Sequence, residues 1–144
     1  DHTRESLIYC GNELRKDFGP GVLAERTLEK ISSEHPRRAV VDSIRNIYEI
    51  GSLRKNKGFK LIAIDAPAAV RFERSKKRGR IGFETSLEDF IKVEKKENSL
   101  DPQKQQLFKC LELADFVIDN SGDISSLERE IENILNKIAP TCQK

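Results

Sequence analysis

Phe59-Lys60-Leu61-Ile62-Ala63-Ile64-Asp65 decides the fold class. It is a short apolar run, rich in β-branched residues, that ends on a carboxylate. A strand of a parallel sheet, covered on both faces, reads this way rather than as strict alternation. Pro67 follows at the point where a first-turn proline starts a helix, and that helix runs to about Arg78, where Gly79 ends it. Two more runs have the same form: Arg38-Ala39-Val40-Val41-Asp42 and Asp115-Phe116-Val117-Ile118-Asp119. Helical spacing fills the intervals. Helices are expected over 3–18, over a second segment closing near Ser32–Pro36, and over 47–55, 86–98, 104–113 and 125–138. Ser86 with Asp89 three residues on resembles a capping box. In the last segment Leu127, Ile131, Ile134, Leu135 and Ile138 recur on one face. Strands alternating with helices predict an α/β protein with a parallel sheet.

The 144 residues are about one domain in length. Lys and Arg number 26 against 24 Asp and Glu, a near balance that argues against a whole-surface nucleic-acid binder. No apolar run approaches the roughly 20 residues of a membrane span. Cys10, Cys110 and Cys142 contain no CxxC pair, so neither a disulfide framework nor a zinc site is expected; a reducing, cytoplasmic setting is. His2 and His35 sit in no metal or triad pattern. There is no methionine and the chain opens within a helical pattern, so the expectation is a piece of a longer polypeptide.

Ligands of open parallel sheets bind beyond the carboxyl ends of the strands. Polar residues stand there after each run: Asp42-Ser43-Ile44-Arg45, Asp65, and Asp119-Asn120-Ser121-Gly122. Asp42 orients a magnesium-bound water or a substrate group, or it caps the turn. Asp65, before Ala66-Pro67, reads chiefly as a helix entry. The densest charge is Arg71-Phe72-Glu73-Arg74-Ser75-Lys76-Lys77-Arg78-Gly79-Arg80, six basic residues against one acid. Arg71, Arg74 and Arg78 share a helix face. Such a cluster beside a Gly-bearing loop suits a polyphosphate; the alternatives are a solvated basic helix and a nucleic-acid patch. Arg15, Arg26, Arg37 and Arg38 add positive charge in the first third. Arg26 either reaches a substrate phosphate or faces solvent.

Taken in order, Gly11-Asn12-Glu13-Leu14-Arg15 through Phe18-Gly19-Pro20-Gly21-Val22-Leu23-Ala24-Glu25-Arg26, Val40-Val41-Asp42-Ser43-Ile44-Arg45-Asn46, Ile64-Asp65-Ala66-Pro67 with Val70 to Arg74 and Arg78 to Arg80, the acidic helix at 94–98, and Ala114 to Gly122 resemble the P-loop nucleotide kinases. The likeness is to dephospho-coenzyme A kinases and deoxynucleoside monophosphate kinases, including kinase-like domains fused to deoxycytidylate deaminases. The resemblance implies a three-layer P-loop-kinase-like parallel sheet with flanking helices. It makes residues 1–144 one partial nucleotide-kinase-like domain, with 71–103 as a lid. It implies ATP and Mg2+ as donor, and a nucleoside monophosphate or dephospho-coenzyme A as acceptor. Arg74, Arg78, Arg80 and Asp42 would be catalytic, Arg45, Arg26 and Arg15 would hold the acceptor, and Asn120, Ser121 and Gly122 would border adenine. No resident metal, nucleic acid or membrane partner is implied; a homodimer, or association with a missing N-terminal segment, is. Two departures stand out. The first strand and the loop GxxxxGK[ST] that cradles phosphates do not occur in residues 1–144, and Ser43 stands where glycine is usual. The implied function is therefore the C-terminal part of a small-molecule phosphotransferase, inactive as this stretch alone, or else a non-catalytic nucleotide-binding module.

Overall fold

The computed structural model describes residues 4–79 and 86–138. In chain order the elements are α1 (Arg4–Phe18), α2 (Val22–Glu34), α3 (Ile47–Leu53), β1 (Ile62–Asp65), α4 (Ala68–Lys77), α5 (Leu87–Glu97), α6 (Leu107–Glu112), β2 (Phe116–Asp119) and α7 (Ile124–Ile138). The architecture is mixed α/β. The described residues pack as two compact units, drawn from Asp1–Phe59 with Glu97–Leu113 and from Lys60–Lys96 with Ala114–Lys144. Among them no helix is long and apolar enough to cross a membrane.

In the first unit α1 stops because Gly19 turns into the left-handed region at φ 96°, its N–H donating to the Arg15 carbonyl at 2.9 Å, the usual glycine end of a helix. α2 ends on His35 at φ 49°, just before Pro36. α3 begins at Asn46, whose Oδ1 accepts from the Tyr48 N–H at 2.9 Å. The core of this unit holds Val22, Ala24, Ile50, Leu53 and Cys110.

In the second unit β1 and β2 run parallel, Ile62 opposite Phe116 and Asp65 opposite Asp119. The Asp115 carboxylate accepts from the Leu61 N–H at 2.7 Å and sets the start of the ladder. α4 follows Pro67 by one residue, so the proline occupies the cap position rather than the first turn. Gly79 at φ 62° follows its end. The expected box opens α5: Ser86 Oγ accepts from the Asp89 N–H at 3.1 Å and donates to its carboxylate at 2.8 Å. Phe72 and Phe90 meet with ring centroids 5.6 Å apart. Ile118 and Ile134 complete the core with Leu61, Ala63 and Ala66.

Two expectations are corrected here. The described sheet has two strands, and Arg38–Asp42 is not a third; residues 39–46 are irregular and Val40 is 97% exposed. Local bonding competes with a ladder there. The Ser43 N–H donates to Asp42 Oδ1 at 2.6 Å and Ser43 takes φ 65°. Arg45 gives its N–H to Glu49 Oε2 and its carbonyl accepts from the Gln106 N–H at 2.7 Å. Nor are β1 and β2 covered on both faces. Opposite residues of a parallel pair share a face, and on each face one residue is buried and the other exposed: Ala63 with Val117, Ile118 with Ile64.

Candidate functional site

The carboxyl ends of β1 and β2 lie side by side in the second unit, and the polar residues expected there do gather. The chain leaves β2 at Asp119, whose Oδ1 accepts from the Ser121 N–H at 2.9 Å. The Asn120 N–H donates to the Asp65 carbonyl at 2.7 Å. From α4, Arg74 reaches across: Nη1 donates to the Asn120 carbonyl and Nη2 to the Gly122 carbonyl at 2.7 Å. One planar fork thus pins two carbonyls of the loop. Arg74, Asn120, Gly122, Ile124 and Leu127 line an open depression of about 620 Å³, within the size range of small-molecule sites. Asp123 closes the loop by accepting from the Ser126 N–H at 2.8 Å, and this hydrogen bonding holds its carboxyl below the usual aspartate range.

One turn back on α4, Arg71 has a different role. It donates to both Glu94 oxygens, at 2.9 and 2.7 Å, to Asp65 Oδ1 at 2.8 Å and to the Ala66 carbonyl. It joins the end of β1 to α5. The hydrogen bonds it donates to Glu94, followed by the charges of Glu94 and Asp65, outweigh burial and raise its pKa further. Arg78, one turn on, bonds through Nε to the Arg74 carbonyl at 3.2 Å and is exposed. Arg80 lies outside the described residues.

The other expected residues belong to the first unit, and they do not converge on one cleft. Arg15 is 5% exposed and ion-paired with Glu49, Nη2 to Oε1 at 2.6 Å and Nε to Oε1 at 3.0 Å. Arg15, expected to help hold the acceptor, has its charge buried against Glu49 inside the protein. Arg26 lies over the Phe18 ring, 5.1 Å from the centroid, a cation–π contact on the surface. Arg45 is half-buried and reaches Gln105 Oε1 at 3.4 Å. Asp42 caps the turn at Ser43, the alternative weighed for it.

No family model matches the chain. A UPF0200 protein of Pyrococcus horikoshii is 31% identical over 141 residues, 94% of this chain and 73% of that protein. The chain belongs to the UPF0200 family. A UPF0200 protein of Methanocaldococcus jannaschii is 31% identical over 144 residues, 99% of this chain and 71% of its own length. A UPF0200/UPF0201 protein of Archaeoglobus fulgidus is 36% identical over 142 residues, 42% of its length. This membership corrects the family read from the sequence. The stretches that resemble dephospho-coenzyme A and deoxynucleoside monophosphate kinases lie in a chain whose matching relatives are archaeal UPF0200 proteins, and their names state no activity.

In this UPF0200 chain the pairings that sequence reasoning missed are long-range. Glu49 is 34 residues from Arg15, and Glu94 is 23 from Arg71; no local spacing announces either. Asn46, fully buried, gives its amide to the carbonyls of Pro102 at 2.6 Å and Lys104 at 2.9 Å, more than 50 residues away. Among the described residues no group of three His, Cys, Asp or Glu side chains is placed to hold a metal ion.

Proposed function

We propose that this chain binds a nucleotide at the carboxyl ends of β1 and β2. The carrying observation is the Arg74 fork on the Asn120 and Gly122 carbonyls, which fixes the loop bordering the depression. Ile124 and Leu127 offer the apolar wall a flat base needs, and the site stands where parallel sheets bind ligands. Arg78 lies four residues beyond Arg74 on the same face of α4 and is the phosphate ligand of this reading. Arg74 is a positioning residue, because its fork is spent on backbone.

Magnesium enters with the nucleotide phosphates. The strand-end carboxylates are taken up, Asp65 by Arg71 and Asp119 by Ser121, and do not form a resident metal nest. The fuller reading makes that nucleotide a substrate of a small-molecule phosphotransferase built on a wider parallel sheet that includes β1 and β2. Residues 1–144 contain no GxxxxGK[ST] run, and phosphoryl transfer needs the donor phosphates cradled. The engaged Arg74 favours binding without transfer by this chain alone.

The test is an amide NMR titration of the 144-residue chain with ATP–magnesium and with AMP, beside a phosphotransfer assay using γ-labelled ATP. Shifts concentrated at residues 119–127, reduced at least tenfold in affinity by Arg74→Ala and by Arg78→Ala to a smaller degree, are expected, with no transfer. The absence of nucleotide-dependent shifts at millimolar concentration, or transfer by this polypeptide, refutes the reading.

A further inference from the structure

A second hollow, of about 650 Å³, lies within the first unit between the turn Phe18-Gly19-Pro20-Gly21 and α3. Its construction is specific. Gly21 lets the start of α2 press on α3: a Cβ there would sit 2.7 Å from Ser52 Oγ and 3.2 Å from Glu25 Oε1. Ser52 is buried and donates to Glu25 Oε1 at 3.1 Å, which orients that carboxylate on the wall. Gly51 is the opposite case. It sits inside helix α3, where glycine is the poorest former after proline, yet a Cβ on it would meet nothing within 4 Å. No packing contact calls for this glycine. What it leaves is open floor in the hollow, which it lines.

The remaining walls are flat and apolar. Phe18 is 61% exposed and Tyr48 47%, and Pro20 and Ile47 share the lining with them. Arg26 stacks over Phe18, and Lys55 belongs to the lining of the hollow. Aromatic faces, a backbone floor without a side chain, one oriented carboxylate and nearby cations define a ligand chemistry. We propose that this hollow binds a flat heterocycle that carries an amino group, with the amino N–H donating to the Glu25 carboxylate and an anionic substituent directed toward Lys55. The ring lies on the Gly51 floor beside Tyr48. The site is separate from the one at the strand ends and does not depend on it.

Amide NMR separates the two, because Gly19, Gly21 and Gly51 report the hollow and Asn120 to Gly122 report the loop. The probes are AMP and CMP, against IMP and UMP, in which a ring carbonyl replaces the amino group. The expected result is that AMP or CMP shifts the three glycine amides, while the matching carbonyl nucleotide binds there at least tenfold more weakly, since a donor to a charged acceptor is lost. Gly51→Leu, which a helix accepts readily, should fill the floor and abolish those shifts while leaving shifts at 119–127 in place. Glu25→Gln should erase the preference for the amino ring. The proposal is overturned if none of the four nucleotides moves the glycine amides, if each amino and carbonyl pair binds equally, or if Gly51→Leu binds as the parent does. Loss of the 119–127 shifts alone would count against the strand-end site and not against this one.

Discussion

Glu49→Gln isolates the buried ion pair of the first unit. Both side chains of the pair are 5% exposed. The two carboxylate oxygens serve three donors: Oε1 takes Arg15 Nη2 at 2.6 Å and Nε at 3.0 Å, and Oε2 takes the Arg45 N–H at 3.1 Å. An amide of the same shape has only one acceptor. Whichever way it turns, its NH2 faces either the guanidinium or the Arg45 N–H, donor against donor. If the guanidinium loses, an uncompensated charge stays buried, at a cost of about 3–5 kcal/mol; if the N–H loses, the cost is about 1–3 kcal/mol. A domain has about 5–15 kcal/mol in hand, so the loss is large on either route. Urea unfolding followed by far-UV circular dichroism measures it. Arg15→Met in the Glu49→Gln background removes the stranded charge and leaves the Gln oxygen to the Arg45 N–H, so the double variant should recover part of the loss. A cost below about 1 kcal/mol for Glu49→Gln, or a double variant whose loss equals the sum of the singles, would refute the account of Arg15 as an internal charge.

Arg74→Ala should weaken the 120–122 loop by removing two charged-donor bonds to carbonyls, about 1–3 kcal/mol in total, seen as faster hydrogen exchange at the Asn120 to Gly122 amides. The Cys110 thiol is pushed up from 9.0 to about 11, first by burial and then by the Glu49 charge, with Arg15 opposing. A raised folded-state value means stability is complete below pH 9 and declines as pH rises through about 11; Cys110→Ala should flatten that decline in urea titrations at pH 8 to 11. At pH 8 iodoacetamide should modify the exposed Cys10 and spare Cys110, as peptide mass spectrometry would show. Asp123 behaves in the opposite sense. Its carboxyl is held below 3.8 by the Ser126 hydrogen bonds, so the stability it lends to α7 is full above pH 3.8 and disappears as pH falls further; Asp123→Asn should lose that acid-range dependence in helicity.

The local signals in the sequence were reliable where the physics is local. Gly79 and the Ser86–Asp89 box end or start helices through bonds within a few residues, and both stand in the structure. The strand ends at Asp65 and Asp119 fall where the apolar runs stop, but the reach of Arg74 to the carbonyls of Asn120 and Gly122, 46 and 48 residues on, has no local signal. The run 38–42 failed for the converse reason. A strand is a property of its neighbours, and Val40 to Asp42 carry the composition of one while Asp42, Glu49 and Gln106 take up the adjoining backbone groups of Ser43 and Arg45.

Composition and periodicity by themselves determined an α/β chain with short apolar strands, a strongly one-faced final helix, and carboxylates at the strand ends. These are legible as local pattern, although which apolar runs become strands depends on the neighbours the fold supplies. Only the tertiary structure decided what each arginine does. Guanidinium groups look alike in a sequence, and their roles depend on which acceptor the fold brings near: a carboxylate 34 residues away for Arg15, a helix 23 residues on for Arg71, two loop carbonyls for Arg74, an aromatic ring for Arg26. Burial then fixes the outcome, because a charge withdrawn from water stays with the partner that compensates it.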